Sequence, residues 1–170
     1  MISRRAFLLG SAGVGGVLLA LGPFRVGFAQ NEPEVFEVTH TEEEWREILS
    51  PSLTLGGATA YSVLREEDTE PAYSHPFDKF YEAGRYHCRG CDLYVYSSEH
   101  KYDSRTGWPS FWQAQDDAIR TKTDFRIGVP RTEVHCRRCG GHFGHIFSDG
   151  PAPTGERHCL NGLALRFYAA

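Results

Sequence analysis

The chain has no internal repeat and no low-complexity tract, which removes repeat arrays and biased, unstructured segments from consideration. At 170 residues it is also too short for two comfortable cores, so one domain is expected. Positive charge is scarce: 18 Lys and Arg stand against 22 Asp and Glu, a net charge of −4. Without an N-terminal segment carrying Arg4, Arg5 and Arg25 the balance becomes 15 against 22, or −7. That shortage argues against nucleic-acid phosphates or anionic lipid as the partner. Cysteine is sparse as well, five in all, and an odd number cannot pair off completely.

A long, strongly apolar run is also lacking. Ser3-Arg4-Arg5-Ala6-Phe7-Leu8-Leu9 precedes an uncharged stretch to Phe24, but that stretch holds five glycines before Pro23 and is only weakly hydrophobic. Gly27-Phe28-Ala29 supplies small residues at the positions a signal peptidase reads. The segment reads as a twin-arginine export signal over residues 1–29, removed to leave a domain of residues 30–170. The expected location is the bacterial periplasm, with no stable membrane insertion after cleavage. Export of a folded chain would let a metal be loaded in the reducing cytosol before the thiols meet an oxidising compartment.

Plentiful aromatics, and β-branched residues in short runs between Gly and Pro, mark a loop-rich, mainly β protein. Thr41-Glu42-Glu43-Glu44 is a capping box that predicts a short helix to about Leu49, stopped by Pro51. Residues 52–84 read mostly as loop, with room for one more short helix. Strand character follows at 85–88, 93–97, 125–129, 132–136, 143–147 and 158–168, spaced as in an antiparallel sheet.

Cys88-Arg89-Gly90-Cys91 and Cys136-Arg137-Arg138-Cys139 are two C-x-x-C knuckles 44 residues apart. Two such knuckles can present four thiolates tetrahedrally to one structural Zn2+, a closed site with no open position. Redox or structural disulfides are the alternative in an exported protein. Cys159 is left over, either as a small buried hydrophobe or as a reactive thiol. On a single strand, period 2 would put it beside Asn161 at the end of an apolar stripe of Leu163, Leu165 and Phe167. His142 and His145 follow the second knuckle, with Asp149 beyond. Three residues apart, the histidines face opposite ways on a regular strand and share a site only if Gly144 permits a bulge. Residues 103–112, with Trp108, Phe111 and Trp112 around Gly107 and Pro109, suit either core packing or the wall of a small apolar pocket.

Together the knuckles, Thr106-Gly107-Trp108-Pro109-Ser110-Phe111, Gly141-His142-Phe143-Gly144-His145-Ile146-Phe147, Asp149-Gly150-Pro151, Thr154-Gly155-Glu156-Arg157 and Cys159-Leu160-Asn161 resemble the methionine-R-sulfoxide reductase (MsrB) family over roughly residues 41–168. The resemblance implies two antiparallel β-sheets with short N-terminal helices, a structural zinc on Cys88, Cys91, Cys136 and Cys139 remote from the reaction centre, and reduction of the R epimer of methionine sulfoxide, protein-bound or free. It implies Cys159 as nucleophile, His142, His145 and Asn161 handling the sulfoxide oxygen, Asp149 orienting a histidine, and Trp108 and Phe111 as substrate contacts. Many relatives carry a resolving cysteine where this chain has Thr106. No spare thiol remains once zinc takes four, so the Cys159 sulfenic acid is expected to be reduced by an external small thiol or thioredoxin-like partner. Arg105 and His158 also depart from the family pattern, which has Gly and an aromatic there. The rival reading is a non-catalytic zinc-ribbon binding module; it accounts for the knuckles and leaves Cys159, Asn161 and both histidines without a role. A thiol-disulfide oxidoreductase using one C-x-x-C pair is weaker, since neither knuckle lies in a βαβ pattern.

Overall fold

The computed structural model describes residues 34–170. The expected export signal at 1–29 and the start of the mature domain at residue 30 lie outside them. Residues 35–170 gather as one compact unit, and among the described residues no helix is long and apolar enough to cross a membrane.

The first helix, α1 (Glu42–Ile48), opens on the expected capping box. Thr41 N–H donates to the Glu44 carboxylate at 2.8 Å and Glu44 N–H to the Thr41 hydroxyl at 3.2 Å, so two orphan amides of the first turn are satisfied. Trp45 carries its buried face. The second helix, α2 (Ala60–Glu66), falls in the stretch read mostly as loop. Ala60, Val63 and Leu64 are buried at i, i+3 and i+4, one apolar stripe laid on the core.

Among the described residues nine strands form two sheets, and every pairing between them is antiparallel. β1 (Gly84–Cys88), β2 (Tyr94–Ser97) and β9 (Leu165–Ala169) make a three-stranded sheet in the order β2-β1-β9. β3 (Lys101–Tyr102), β4 (Ser110–Phe111), β5 (Ile119–Asp124), β6 (Arg131–Cys136), β7 (His142–Phe147) and β8 (Arg157–Leu160) make a six-stranded sheet in the order β3-β4-β8-β7-β6-β5. The mainly β architecture with two antiparallel sheets is the expected one. Tyr86, Tyr96, Phe111, Phe143, Leu160 and Leu163 are fully buried in a single apolar cluster that also takes in Trp45, Val63 and Leu64.

Two strand expectations are corrected. Residues 125–129 are a reverse turn rather than a strand: Arg126 N–H donates to the Asp124 carboxylate at 2.7 Å, Gly128 N–H to Phe125 O at 2.9 Å, and Gly128 has φ +81°. The strand lies just before, in β5, where five consecutive polar residues after Ile119 leave no apolar alternation to announce it. Residues 158–168 are two strands in different sheets, parted by a 3-10 turn at Gly162–Ala164. Glu70 makes that break, because its carboxylate accepts the N–H groups of Gly162 and Leu163 at 2.8 and 2.9 Å and so ends the extended run. The stripe from Cys159 to Phe167 is therefore not continuous.

Candidate active site and metal site

The two knuckles grow from strand ends. β1 ends at Cys88 and β6 at Cys136, and tight turns bring Cys91 and Cys139 back beside them: Asp92 N–H donates to Cys88 O at 2.8 Å, Gly140 N–H to Cys136 O at 2.9 Å. All four Sγ atoms lie within 4.8 Å of one another, with 3.6 Å between Cys88 and Cys139 and 3.5 Å between Cys91 and Cys136. A tetrahedron with Zn–S bonds of about 2.3 Å has edges of about 3.8 Å, so donor set and spacing fit one Zn2+. All four are free thiols, as a metal site requires and the disulfide alternative does not. The cluster can hold one metal ion and would staple β1 of the small sheet to β6 of the large one.

The second constellation is built across the large sheet. In the β6–β7 pairing Val134 faces Gly144 but His135 faces His142, so Phe143 is an extra residue and β7 bulges there. The extra residue reverses the alternation and puts both histidines on one face, their ring centroids 5.5 Å apart. Gly144 permits it: φ is +154°, and a Cβ would lie 2.1 Å from Cys159 O on the neighbouring strand. Direct cross-strand partners share a face, which gives one row running Ser110, Cys159, His145, Glu133, Lys122 over five strands.

Cys159 opens into a pocket of about 130 Å³ with Trp108, His145, Phe147, Arg131 and Asn161 around it. Trp108 is fixed by its indole N–H, which donates to Glu70 O at 2.9 Å. The turn before it needs Gly107, at φ +90° and with Tyr73 N 2.7 Å from where a Cβ would stand. The Thr106 hydroxyl lies 3.9 Å from Cys159 Sγ and 2.8 Å from the Ser104 hydroxyl, which in turn meets Ser110 Oγ at 2.7 Å. Burial pushes the Cys159 thiol up; the Arg157 guanidinium and the Thr106 and Ser110 hydroxyls pull it the other way without prevailing. The cation that favours the thiolate is thus an arginine.

Each histidine has a carboxylate. His145 Nε2 lies 2.8 Å from Asp124 Oδ2, and His142 Nδ1 lies 3.0 Å from Glu133 Oε1 but off the line of a hydrogen bond. Burial lowers the pKa of His145 even though Asp124 opposes it. The Arg126 amide, His145 and Arg131 hold the Asp124 carboxyl far below its usual range. Burial works against the charge on Glu133, but His142 and Lys122 outweigh it and its pKa is lowered. With Asp124 ionised, the proton of a neutral His145 sits on Nε2, which leaves Nδ1 as the open position.

Comparison with known proteins bears on this arrangement directly. Residues 57–169 match the SelR domain. The chain is 48% identical over 131 residues to a peptide methionine sulfoxide reductase MsrB of Thioalkalivibrio sulfidiphilus, covering 76% of this chain and 90% of that protein. The chain belongs to the MsrB family. A peptide methionine sulfoxide reductase MsrB of Leptospira interrogans is 40% identical over 133 residues, 78% of this chain and 96% of that protein. The human mitochondrial methionine-R-sulfoxide reductase B2 is 41% identical over 139 residues, 77% of this chain and 72% of that protein.

Among the residues singled out for an MsrB site, Cys159, His145, Asn161 and Trp108 meet at one pocket, and His142 lines the groove beside it. Two others sit differently. Phe111 is fully buried between Tyr86 and Tyr96, because alternation along β4 turns Ser110 to Cys159 and Phe111 to the core. Asp149 pairs with Arg157 through two bonds of 2.8 and 3.0 Å and touches no histidine. Asn161 lines the pocket, but its side chain is spoken for: Oδ1 accepts from Glu70 N–H at 3.0 Å and Nδ2 donates to Phe143 O at 3.1 Å. Arg105 occupies φ +61°, a backbone conformation that suits glycine better than arginine, and His158 is buried between Tyr96 OH at 3.0 Å and Glu156 at 3.1 Å. Asp124, Glu133, Glu70 and Arg157 were not anticipated. No local signal pointed to them: along β6 Glu133 alternates with the core residues Val134 and Cys136 and so reads as an outward acid, and only the facing strands bury it.

Proposed function

We propose that this enzyme reduces the R epimer of methionine sulfoxide through Cys159, with an external thiol completing the cycle. The observation that carries the reading is a thiol at the base of a pocket sized for one side chain, with an indole on one wall and an imidazole on another. The Cys159 thiolate attacks the sulfoxide sulfur while oxygen takes up a proton. Oxygen then passes to Cys159: methionine sulfoxide is reduced to the thioether and the thiol is oxidised to sulfenic acid. His145, which lines the pocket, is the group placed to meet the oxygen as charge builds on it, with the buried His142 ring 5.5 Å behind it. Trp108 would receive the S-methyl group, and sulfur or methyl against the ring is worth about 0.3–1.5 kcal/mol. The S epimer would put its polar oxygen there instead.

Asp149 takes a role one step removed. Its paired bonds hold the Arg157 guanidinium that favours the Cys159 thiolate, so it orients a cation instead of a histidine. Where many relatives have a resolving thiol, Thr106 offers only a hydroxyl 3.9 Å from Sγ. Two external thiols, small or on a thioredoxin-like protein, then return the sulfenic acid to thiol, with a disulfide and water as products. Arg4-Arg5 and the weakly apolar run behind them support export by the twin-arginine route; recovery of the processed chain from the periplasmic fraction checks this.

The test is a dithiothreitol-driven assay on separated R and S epimers of N-blocked methionine sulfoxide, beside Cys159→Ser. Consumption of R alone, abolished in the variant, is expected. Turnover surviving Cys159→Ser would sink the mechanism, and an intramolecular disulfide containing Cys159 after one turnover would refute the external thiol.

A further inference from the structure

The walls of the Cys159 pocket come from distant parts of the chain, and one buried residue joins several of them. Glu70 lies in the loop after α2, next to Thr69 of the pocket lining, and is 1% exposed. Every polar atom it owns is engaged. Its carbonyl oxygen accepts the Trp108 indole N–H at 2.9 Å, and its own N–H donates to Asn161 Oδ1 at 3.0 Å. Its carboxylate takes the N–H groups of Gly162 and Leu163 at 2.8 and 2.9 Å, one on each oxygen. An acceptor-only group satisfies both donors at once, whereas an amide side chain would set its NH2 against a main-chain N–H.

These bonds reach the histidines as well. Asn161 passes the restraint on, since its main-chain N–H and its Nδ2 both donate to Phe143 O, at 2.8 and 3.1 Å. Phe143 is the extra residue of the β7 bulge that turns His142 and His145 to one face. The indole wall and the bulge are therefore tied to the same residue. Between them lies the space in which the methyl group and the oxygen of a sulfoxide have to be told apart.

Resting on the proposed reaction, we propose that Glu70 is a positioning residue that sets the spacing between Trp108 and the histidine side of the pocket, and with it the preference for the R epimer. A misplacement of about 1 Å near a reacting centre can cost on the order of a hundredfold in rate. A relaxed spacing takes that from the epimer that fits. The S epimer, which the fixed spacing excludes, does not lose in step.

The test is Glu70→Gln in the full enzyme, with kcat and KM measured separately on the R and S epimers of N-blocked methionine sulfoxide under dithiothreitol. Expected is a fall of roughly tenfold or more in the R to S ratio of kcat/KM, carried mainly by a lower kcat for R. Val95→Ala, a buried change in β2 of the small sheet, controls for lost stability alone and should keep the wild-type ratio. A Glu70→Gln enzyme that is weaker in urea but equally selective would overturn the inference and leave Glu70 a purely structural residue. Should that variant fold poorly, Glu70→Asp keeps the charge but retracts it by a methylene, and its ratio should fall part of the way; an unchanged ratio refutes the role. If the wild-type enzyme reduced neither epimer, or both alike, the proposed reaction would be at fault. Hydrogen exchange of the Trp108 indole N–H, identified by NMR through its absence from Trp108→Phe, would then judge the clamp alone: exchange about tenfold faster in Glu70→Gln supports it, and equal exchange refutes it.

Discussion

The chemistry at Cys159 is set by opposing influences on one sulfur. Burial favours the thiol, Arg157 favours the thiolate, and burial wins, so at neutral pH the resting residue is protonated. Thiolate forms only as the pH climbs toward the raised pKa, and below it each pH unit should speed alkylation by iodoacetamide about tenfold. Arg157→Gln removes a lowering influence and should slow alkylation at any fixed pH below that value, measured by the mass of the Cys159 peptide. Equal rates in the two proteins would show that the guanidinium does not act on the sulfur. Cys159 and the four knuckle cysteines could be told apart in the sequence, since C-x-x-C spacing is a local signature. Asp124 and Glu133 could not be matched to His145 and His142, because only the pairing of β5, β6 and β7 brings residues 9 to 21 positions apart into contact.

At the level of elements, the bulge in β7 is the decisive feature. A regular strand would send His142 to the far face, and the single extra residue at Phe143 brings it back. Gly144→Val should cost about 3 kcal/mol or more, from the Cβ driven into Cys159 O together with the unfavourable φ. It should also lower kcat in whatever fraction remains folded; urea denaturation and the epimer assay read the two effects separately. The possibility of a bulge was legible from glycine between two histidines. Its position at Phe143 was not, since register is a property of two strands. In the same way α1 could be read to within a residue from Thr41 and Glu44, whereas the break at Gly162 depends on Glu70, 92 positions earlier.

Across the whole molecule, the metal cluster joins the two sheets and buried histidines set the response to acid. Chelation should lower Tm by on the order of 10 °C or more, with zinc released one per chain, measured by differential scanning fluorimetry and metal analysis. His75 is buried, and burial followed by the Arg89 charge lowers its pKa to about 4; burial lowers His145 and His158 as well. A histidine depressed in the folded state favours folding while neutral. Its contribution is therefore full above about 6.5 and is lost as pH falls toward 4, on the order of 3 kcal/mol for His75. Glu70, raised by burial, opposes this loss in part. Urea midpoints should hold steady from pH 8 to 7 and drop between pH 6.5 and 4.5; no drop would mean these rings protonate freely in the fold. By itself the sequence determined the four cysteines that can hold a metal, the one thiol outside the knuckles, the mainly β character and the family, because each is written in short spacings or residue types. Which acid serves which histidine, where the last strand breaks, that Phe111 belongs to the core and Asp149 to Arg157, and that residues 125–129 form a turn, only the tertiary structure decided. Those are contacts between distant segments, and they are fixed by strand register and burial, which no local pattern encodes.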